Sequence, residues 1–323
     1  MKRFKNILYV NETGVNQTSA MERAVSLAKN NNADVTVVDV IPDQVIAAAV
    51  GLSPKGLSAE KLKAEVAEDR RGEIETRIAS FKQDLDIRIQ VLTGKRFLEV
   101  IRMVLFRSFD LVVKPAEDPD WMGLLFGSDD MHLLRKCPCP VWLIKPSEKI
   151  GFKTVLAAVD IDPGNSLPGN RDLNQTILEL AGSIALTDNA SLHLVHAWDA
   201  SAEHTFLSQK GMSAESVAEY VQKEREIHEN GLSELASAFG ERGDTSSRLP
   251  VSPRLHLIQG PAKKMIPQLA GDLSADLVVM GTIVRTGISG FIIGNTAEAV
   301  FHQLTCSTLA VKAPGFTSPV KME

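Results

Sequence analysis

Short apolar runs alternate along this chain with longer amphipathic stretches, and the alternation runs through the same succession twice. Residues 4–10 (FKNILYV) read as a strand, a helical stretch passes through Leu27 and Ala28, and residues 32–38 (NADVTVV) read as a second strand. A loop and a polar helical run opening at Ser58-Ala59-Glu60 follow, the serine being suited to cap the helix. The second half repeats this with 152–158 (FKTVLAA), Leu180-Ala181, 189–195 (NASLHLV) and Ser213-Ala214-Glu215. Runs such as 277–280 (LVVM) are apolar without alternation, as expected of strands covered on both faces. The order β-α-β-α-β-α-β-α-β in each half predicts an α/β fold: two tandem, doubly wound, five-stranded parallel-sheet domains of Rossmann-like type with right-handed crossovers.

The later part of each half keeps strict spacing. Gly94 to Asp110 and Gly260 to Asp276 are both sixteen residues, and each aspartate precedes Leu-Val-Val. Gly127 to Cys139 and Gly294 to Cys306 are both twelve. Ordered matches of this kind mark an internal duplication. The domains are expected at 1–147 and 151–314, joined by a short linker near 146–151 (PSEKIG), with an irregular tail at 315–323.

Composition narrows the function classes. The 323 residues are 44% hydrophobic and 23% charged, with net charge −5 and a pI near 5.9, so a duplex-binding surface is not favoured and no direct nucleic-acid contact is expected. No apolar stretch approaches the ~20 residues that span a bilayer. The run Ile7 to Val10 is too short for a signal peptide, and three cysteines give no disulfide framework. The cytoplasm is the expected compartment.

The candidate chemistry centres on 281–296 (GTIVRTGISGFIIGNT), where four glycines follow a predicted strand. Ligands of such sheets bind beyond the carboxyl ends of strands where the strand order reverses, and a glycine-rich loop there can bring backbone N–H groups to an anion. A tight, empty turn is the alternative. No Walker lysine, nucleophile elbow or paired nucleophile and base is found, so an enzyme is not supported. Cys137-Pro138-Cys139 with His132 lacks a second ligand pair and is not read as a metal site; Cys139 and Cys306 are expected to be buried thiols. His193 and His196 sit three apart on a strand and so face opposite sides, which makes them poor co-ligands. His196 is expected to be a satisfied structural histidine or a hydrogen-bonding neighbour of the ligand. The run 65–75 reads as a solvated helix face, with Leu62, Val66, Ile74, Ile78 and Phe81 as the apolar stripe.

The spacing Gly281 to Gly294, followed by Asn295-Thr296-Ala297-Glu298, together with His132-Leu133-Leu134-Arg135-Lys136-Cys137-Pro138, resembles the universal stress protein family, in its tandem E-type branch of the universal stress protein A superfamily. The family pattern is Gly-x2-Gly-x9-Gly-Ser/Thr after the fourth strand. By that resemblance Asp160 and Ala197 would meet adenine and ribose. Met280 precedes the loop, and Gly281, Val284, Arg285, Gly294, Asn295 and Thr296 belong to the phosphate-binding segment. Two departures stand out: Val284 replaces the middle glycine, and Asn295 replaces Ser or Thr. The first repeat departs further. It lacks the first glycine, carries Glu12 in place of the strand-end aspartate, and crowds carboxylates at 117, 118, 120, 129 and 130, whereas 281–297 contains no acid. Any nucleotide is therefore expected in the second domain.

The resemblance implies a stress-response binding or signalling protein, with roles in stress survival including resistance to DNA damage. No cofactor is required; ATP with magnesium, or another small anionic or amphipathic molecule, is the expected ligand. A ligand-independent scaffold with a vestigial pocket and a slow ATPase are the alternatives. Single-domain relatives pair through their last strands, so an intrachain pseudo-dimer through 141–145 and 308–312 is expected, and a homodimer of the whole chain stays open.

Overall fold

The computed structural model describes residues 4–52, 58–82, 85–117, 129–146, 151–162, 168–200, 213–241, 252–282 and 294–322. The chain divides into two compact units, Met1–Ile150 with Thr317–Glu323, and Gly151–Phe316.

In the first unit the elements run β1 (Asn6–Val10), α1 (Thr18–Asn31), β2 (Asp34–Ile41), α2 (Asp43–Leu52), α3 (Ala59–Ile78), β3 (Ile87–Thr93), α4 (Arg96–Arg107), β4 (Leu111–Pro115), α5 (Asp129–Lys136) and β5 (Val141–Ile144). The strands are parallel in the order β3-β2-β1-β4-β5. The second unit holds β6 (Thr154–Val159), α6 (Pro168–Asp188), β7 (Ser191–Trp198), α7 (Ala214–Glu241), β8 (Arg254–Gln259), α8 (Ala262–Asp272), β9 (Leu277–Gly281), α9 (Asn295–Phe301) and β10 (Ser307–Val311). Its order, β8-β7-β6-β9-β10, is the same winding. In each unit the order reverses beside the first strand, so crevices open beyond the carboxyl ends of β1 and β4 and of β6 and β9.

The spacing landmarks now have physical causes. Asp110 accepts the N–H groups of Lys5 (2.6 Å) and Asn6 (3.2 Å), and Asp276 accepts those of Lys153 (2.7 Å) and Thr154 (3.0 Å), fixing the entry to the first strand of each unit. Gly94 and Gly260 take φ of +139° and +133°, a backbone that side chains rarely adopt. Their N–H groups donate to Ile41 and Trp198 at the ends of the second strands. Asn32 and Asn189, and likewise Ser108 and Ser274, are matched left-handed residues at helix ends. Ser58 caps α3 by accepting the Lys61 N–H, and Ser213 accepts that of Ser216.

The structure departs from the sequence pattern in four places. The second strands run on to Ile41 and Trp198, because their polar residues are paired rather than solvated; Asp39 accepts from Asn11, and His196 is buried. The loop expected after β2 contains α2, whose run of alanines at 47–49 favours helix. Cys306 is half-buried rather than buried, while Cys137 and Cys139 are buried with their sulfurs 3.6 Å apart. In α3 the apolar stripe is fully buried only at Ile74 and Ile78.

Candidate functional site

In the second unit β6 ends at Val159, and Asp160 follows with an exposed side chain. Its backbone is fixed by buried Asn174 of α6: Oδ1 accepts the Asp160 N–H at 3.2 Å, and Nδ2 donates to the Asp160 carbonyl at 2.6 Å. Ala197 lies at the end of β7 opposite Ile258 of β8, half-buried. Met280 is buried in β9 between Ala158 and Ala310. The topology thus brings Asp160, Ala197, Met280 and Gly281 to the carboxyl ends of three neighbouring strands.

The two glycines at the ends of the loop differ in kind. A Cβ on Gly281 would lie 2.8 Å from Leu173 Cδ2 and 3.6 Å from Ile177 Cδ1, so the missing side chain lets α6 pack against β9. Gly294 has φ −60° and ψ 137°, and among the described residues the nearest atom to its Cβ position is the Thr282 carbonyl oxygen at 3.6 Å. That conformation suits any residue. The Gly294 N–H donates to the Thr282 carbonyl at 2.8 Å and closes the loop at its base. Beneath it, buried Lys312 donates to Thr282 Oγ1 at 3.1 Å and stands over the Phe316 ring. Asn295 and Thr296, both exposed, open α9. Val284, Arg285, Gly287 and Gly290 lie outside the described residues.

The histidines of β7 separate by face. His193 pairs with His256 of β8, ring nitrogens 2.8 Å apart. His196 pairs with His228 of α7, Nε2 to Nδ1 at 2.9 Å. Burial, followed by the neighbouring His228, lowers the His196 pKa to about 4, so it is neutral at physiological pH. His132 stacks on Phe97, ring centroids 4.1 Å apart. Among the described residues no three His, Cys, Asp or Glu side chains are gathered to hold a metal.

The first unit fills the equivalent crevice with its own charges. Ile7 pairs with Leu111 as Val155 pairs with Leu277, so Glu12 stands where Asp160 does and Lys114 where Met280 does. Lys114 is fully buried, and its Nζ lies 2.7 Å from Asp130 Oδ1, 2.9 Å from Glu12 Oε2 and 3.3 Å from Glu117 Oε1. Arg96 of α4 reaches Glu12 Oε1 at 2.9 Å and Asp129 Oδ2 at 3.7 Å. Asp130 Oδ2 also accepts the Glu117 N–H. Burial alone would depress the Lys114 pKa, but Asp130, Glu12 and Glu117 outweigh it and raise the ammonium above the ordinary lysine range. With four carboxylates around two cations, the excess negative charge falls on Glu117: burial first, then Asp130, push its carboxyl up to about 7. The carboxylates at 118 and 120 lie outside the described residues.

The profile of the universal stress protein family matches residues 3–145 and again residues 151–312. The chain belongs to the universal stress protein family. It is similar to Universal stress protein E of Photorhabdus laumondii, at 28% identity over 333 residues covering 99% of both chains. It is equally similar to Universal stress protein E of Escherichia coli K12, at 28% over 329 residues, covering 100% of this chain and 98% of the relative. Among solved structures, a candidate universal stress protein of Pseudomonas aeruginosa UCBPP-PA14 superposes with TM-score 0.64 at 25% identity, covering 97% of this chain and 94% of that one. A universal stress protein of Archaeoglobus fulgidus gives TM-score 0.63 at 16% identity over 95% of this chain and 98% of that one, a likeness of fold. The tandem universal stress protein fold is therefore common to both units. Among the described residues no helix is long and apolar enough to cross a membrane.

The residue that most distinguishes the two universal stress protein domains, Lys114, is absent from the sequence-based candidates. A lysine among Val, Val and Pro at a strand end is a usable signal, since a lysine is almost never fully buried unless paired.

Proposed function

We propose that this protein is a stress-response binding module whose second domain takes a nucleotide, ATP with magnesium, at the carboxyl ends of β6, β7 and β9, and whose first domain takes none. The observation that carries this is the Lys114 cluster. In the first domain Lys114, Asp130 and Glu12 neutralise one another in the crevice. At the matching places the second domain has Met280 and Ala297, which carry no charge, and Asp160, whose side chain is exposed. Asp160 is the candidate for the ribose. The first-turn N–H groups at Asn295 and Thr296 have no partner within the helical ladder and are the candidates for phosphate, with Arg285 as an added charge. Binding at this site would bias how the protein meets its partners, in keeping with the stress-survival and DNA-damage roles that the family resemblance implies.

Calorimetry of the full-length protein with Mg-ATP tests this. Binding is expected in the wild type, lost in Gly294→Asp with an unchanged circular dichroism spectrum, and strengthened in Val284→Gly. No heat with millimolar Mg-ATP in either the wild type or Val284→Gly would discard the nucleotide.

One observation favours a second reading, the ligand-independent scaffold. The Gly294 N–H is already used by Thr282, and Gly281 is explained by packing on Leu173, so neither glycine requires a ligand. Phosphate release from ATP would separate a slow ATPase from both.

A further inference from the structure

One pair of nucleophiles in the first domain belongs neither to its charge cluster nor to the candidate site. Cys137 and Cys139 flank Pro138 between the end of α5 and the start of β5, and their sulfurs lie 3.6 Å apart. The backbone that carries them is tied on both sides. The Cys137 N–H donates to the Leu133 carbonyl, the Lys136 carbonyl accepts from Ser318 Oγ at 2.7 Å, and the Pro140 carbonyl accepts the Val112 N–H. The fold does not call for two thiols here. In the second domain Leu304 and Cys306 occupy the matching places, and Leu304 is buried, so position 137 needs only an apolar residue.

The two sulfurs differ in reach. Cys137 is sealed from solvent, whereas Cys139 is 8% exposed, so a small hydroperoxide meets Cys139 first. Burial works against a thiolate, but once Cys139 is ionised Cys137 is the donor of their contact, which favours the charged sulfur. The Cys139 thiolate takes one oxygen of the peroxide as OH. The O–O bond breaks, and the departing hydroxide leaves as water with the proton that Cys139 gave up. The product is a sulfenic acid. Cys137 Sγ then attacks the Cys139 sulfur, the S–O bond breaks, and the hydroxyl leaves as water with the Cys137 proton. Two thiols lose two electrons and two protons, and one peroxide becomes two waters. The sulfurs need to approach by only about 1.5 Å to reach bonding distance. The tied backbone keeps them facing each other, which makes the second step intramolecular.

We propose that Cys137 and Cys139 form a peroxide-responsive dithiol, in which Cys139 is oxidised first and Cys137 resolves it to a disulfide within the first domain. The dithiol needs no ligand, so it stands whether or not the second domain takes a nucleotide. Cys306, with leucine at the place matching Cys137, cannot close the same ring.

Treating the reduced, folded, full-length protein with hydrogen peroxide, then alkylating and digesting it, tests this. Trypsin cuts after Lys136, and the peptide that opens at Cys137 carries both Cys137 and Cys139 and no methionine. In the wild type this peptide is expected to be two hydrogens lighter and closed to alkylation, and dithiothreitol should restore both thiols. Cys306→Ser should lose its two remaining thiols in the same way. Cys137→Ala should stop at a sulfenic acid on Cys139, captured by dimedone, and Cys139→Ala should leave Cys137 a thiol. Circular dichroism checks that the variants fold, and the wild-type peptide decides the dithiol by itself where one does not. A wild-type peptide that still alkylates at both cysteines, or that gains oxygen without losing hydrogen, overturns the dithiol. Capture of Cys137 in Cys139→Ala as complete as that of Cys139 in Cys137→Ala overturns the order of the two sulfurs.

Discussion

Lys114 Nζ and Asp130 Oδ1 meet at 2.7 Å, joining the end of β4 to the first turn of α5 inside the first domain. The contact sits where a strand-to-helix loop of this fold would receive a ligand, and it puts a carboxylate at a helix N-terminus, where the dipole favours it. Glu12 at 2.9 Å and Glu117 at 3.3 Å complete the shell around one ammonium.

Lys114→Met is expected to destabilise the first domain strongly. Methionine is the residue at the matching place in β9, so the volume is acceptable, but Asp130 is left buried without its cation and Glu12 keeps only Arg96. Breaking one side of a buried pair costs about 3–5 kcal/mol. Urea unfolding of the full-length protein should show an early transition, partly restored by adding Glu12→Gln and Asp130→Asn. A variant as stable as the wild type would mean that the cluster carries no stability.

The Glu117 carboxyl gives the first domain a pH dependence of definite sign. Its pKa is raised from 4.5 to about 7 in the folded protein, chiefly by burial. Between those values the folded state holds the proton that the unfolded state has lost, so stability falls as pH rises through this window and levels off above it. Glu117→Gln keeps the neutral form at every pH. It should leave stability at about pH 4.5 unchanged and raise it at about pH 8 by roughly 1–2 kcal/mol, allowing for partial solvent screening. Equal effects at both ends would show that Glu117 does not titrate in this way.

The fold was legible because the duplication repeats backbone requirements. Asp110 and Asp276 each hold two strand-entry amides, Gly94 and Gly260 each take a positive φ, and Asn32 and Asn189 each end a helix left-handed. Such needs fix residue type at fixed spacing, which a single sequence displays twice. The site was less legible, because its residues are chosen by contacts across the sequence. Gly281 reads as a ligand-binding glycine but answers to Leu173 on α6, 108 positions earlier. His196 finds its partner on α7, and Lys114 finds Glu12 at the end of a strand 102 residues before it. α2 was missed because its alanine-rich run shows no amphipathic period.

The paired aspartates can be tested separately. Asp276→Ala removes the acceptor for Lys153 and Thr154 and should destabilise the second domain by about 1–3 kcal/mol, the cost of unsatisfied amides. Asp276→Asn should cost less, because Oδ2 receives both N–H groups and an amide oxygen can take its place. Asp110→Ala should act alike on the first domain. Hydrogen exchange at residues 153 and 154 checks the assignment; amides that stay protected in Asp276→Ala would refute it.

Gly281 and Gly294 should respond oppositely to a methyl group. In Gly281→Ala the new Cβ meets Leu173 Cδ2 at 2.8 Å, and forcing α6 or the leucine aside should cost about 1–3 kcal/mol. Gly294→Ala adds a methyl at ordinary contact distance on a backbone already in a common conformation, and should stay within about 0.5 kcal/mol of the wild type. Thermal unfolding of the two variants gives the comparison. Residues in contact do not add, so Leu173→Ala combined with Gly281→Ala should cost less than the sum of the two alone. Additive losses would mean that the glycine is required for some reason other than the packing of α6. If, in addition, Gly281→Ala with Leu173→Ala binds ATP as the wild type does, the first glycine of the loop serves the fold and not the ligand. The anion would then depend on the backbone from Gly294 onward.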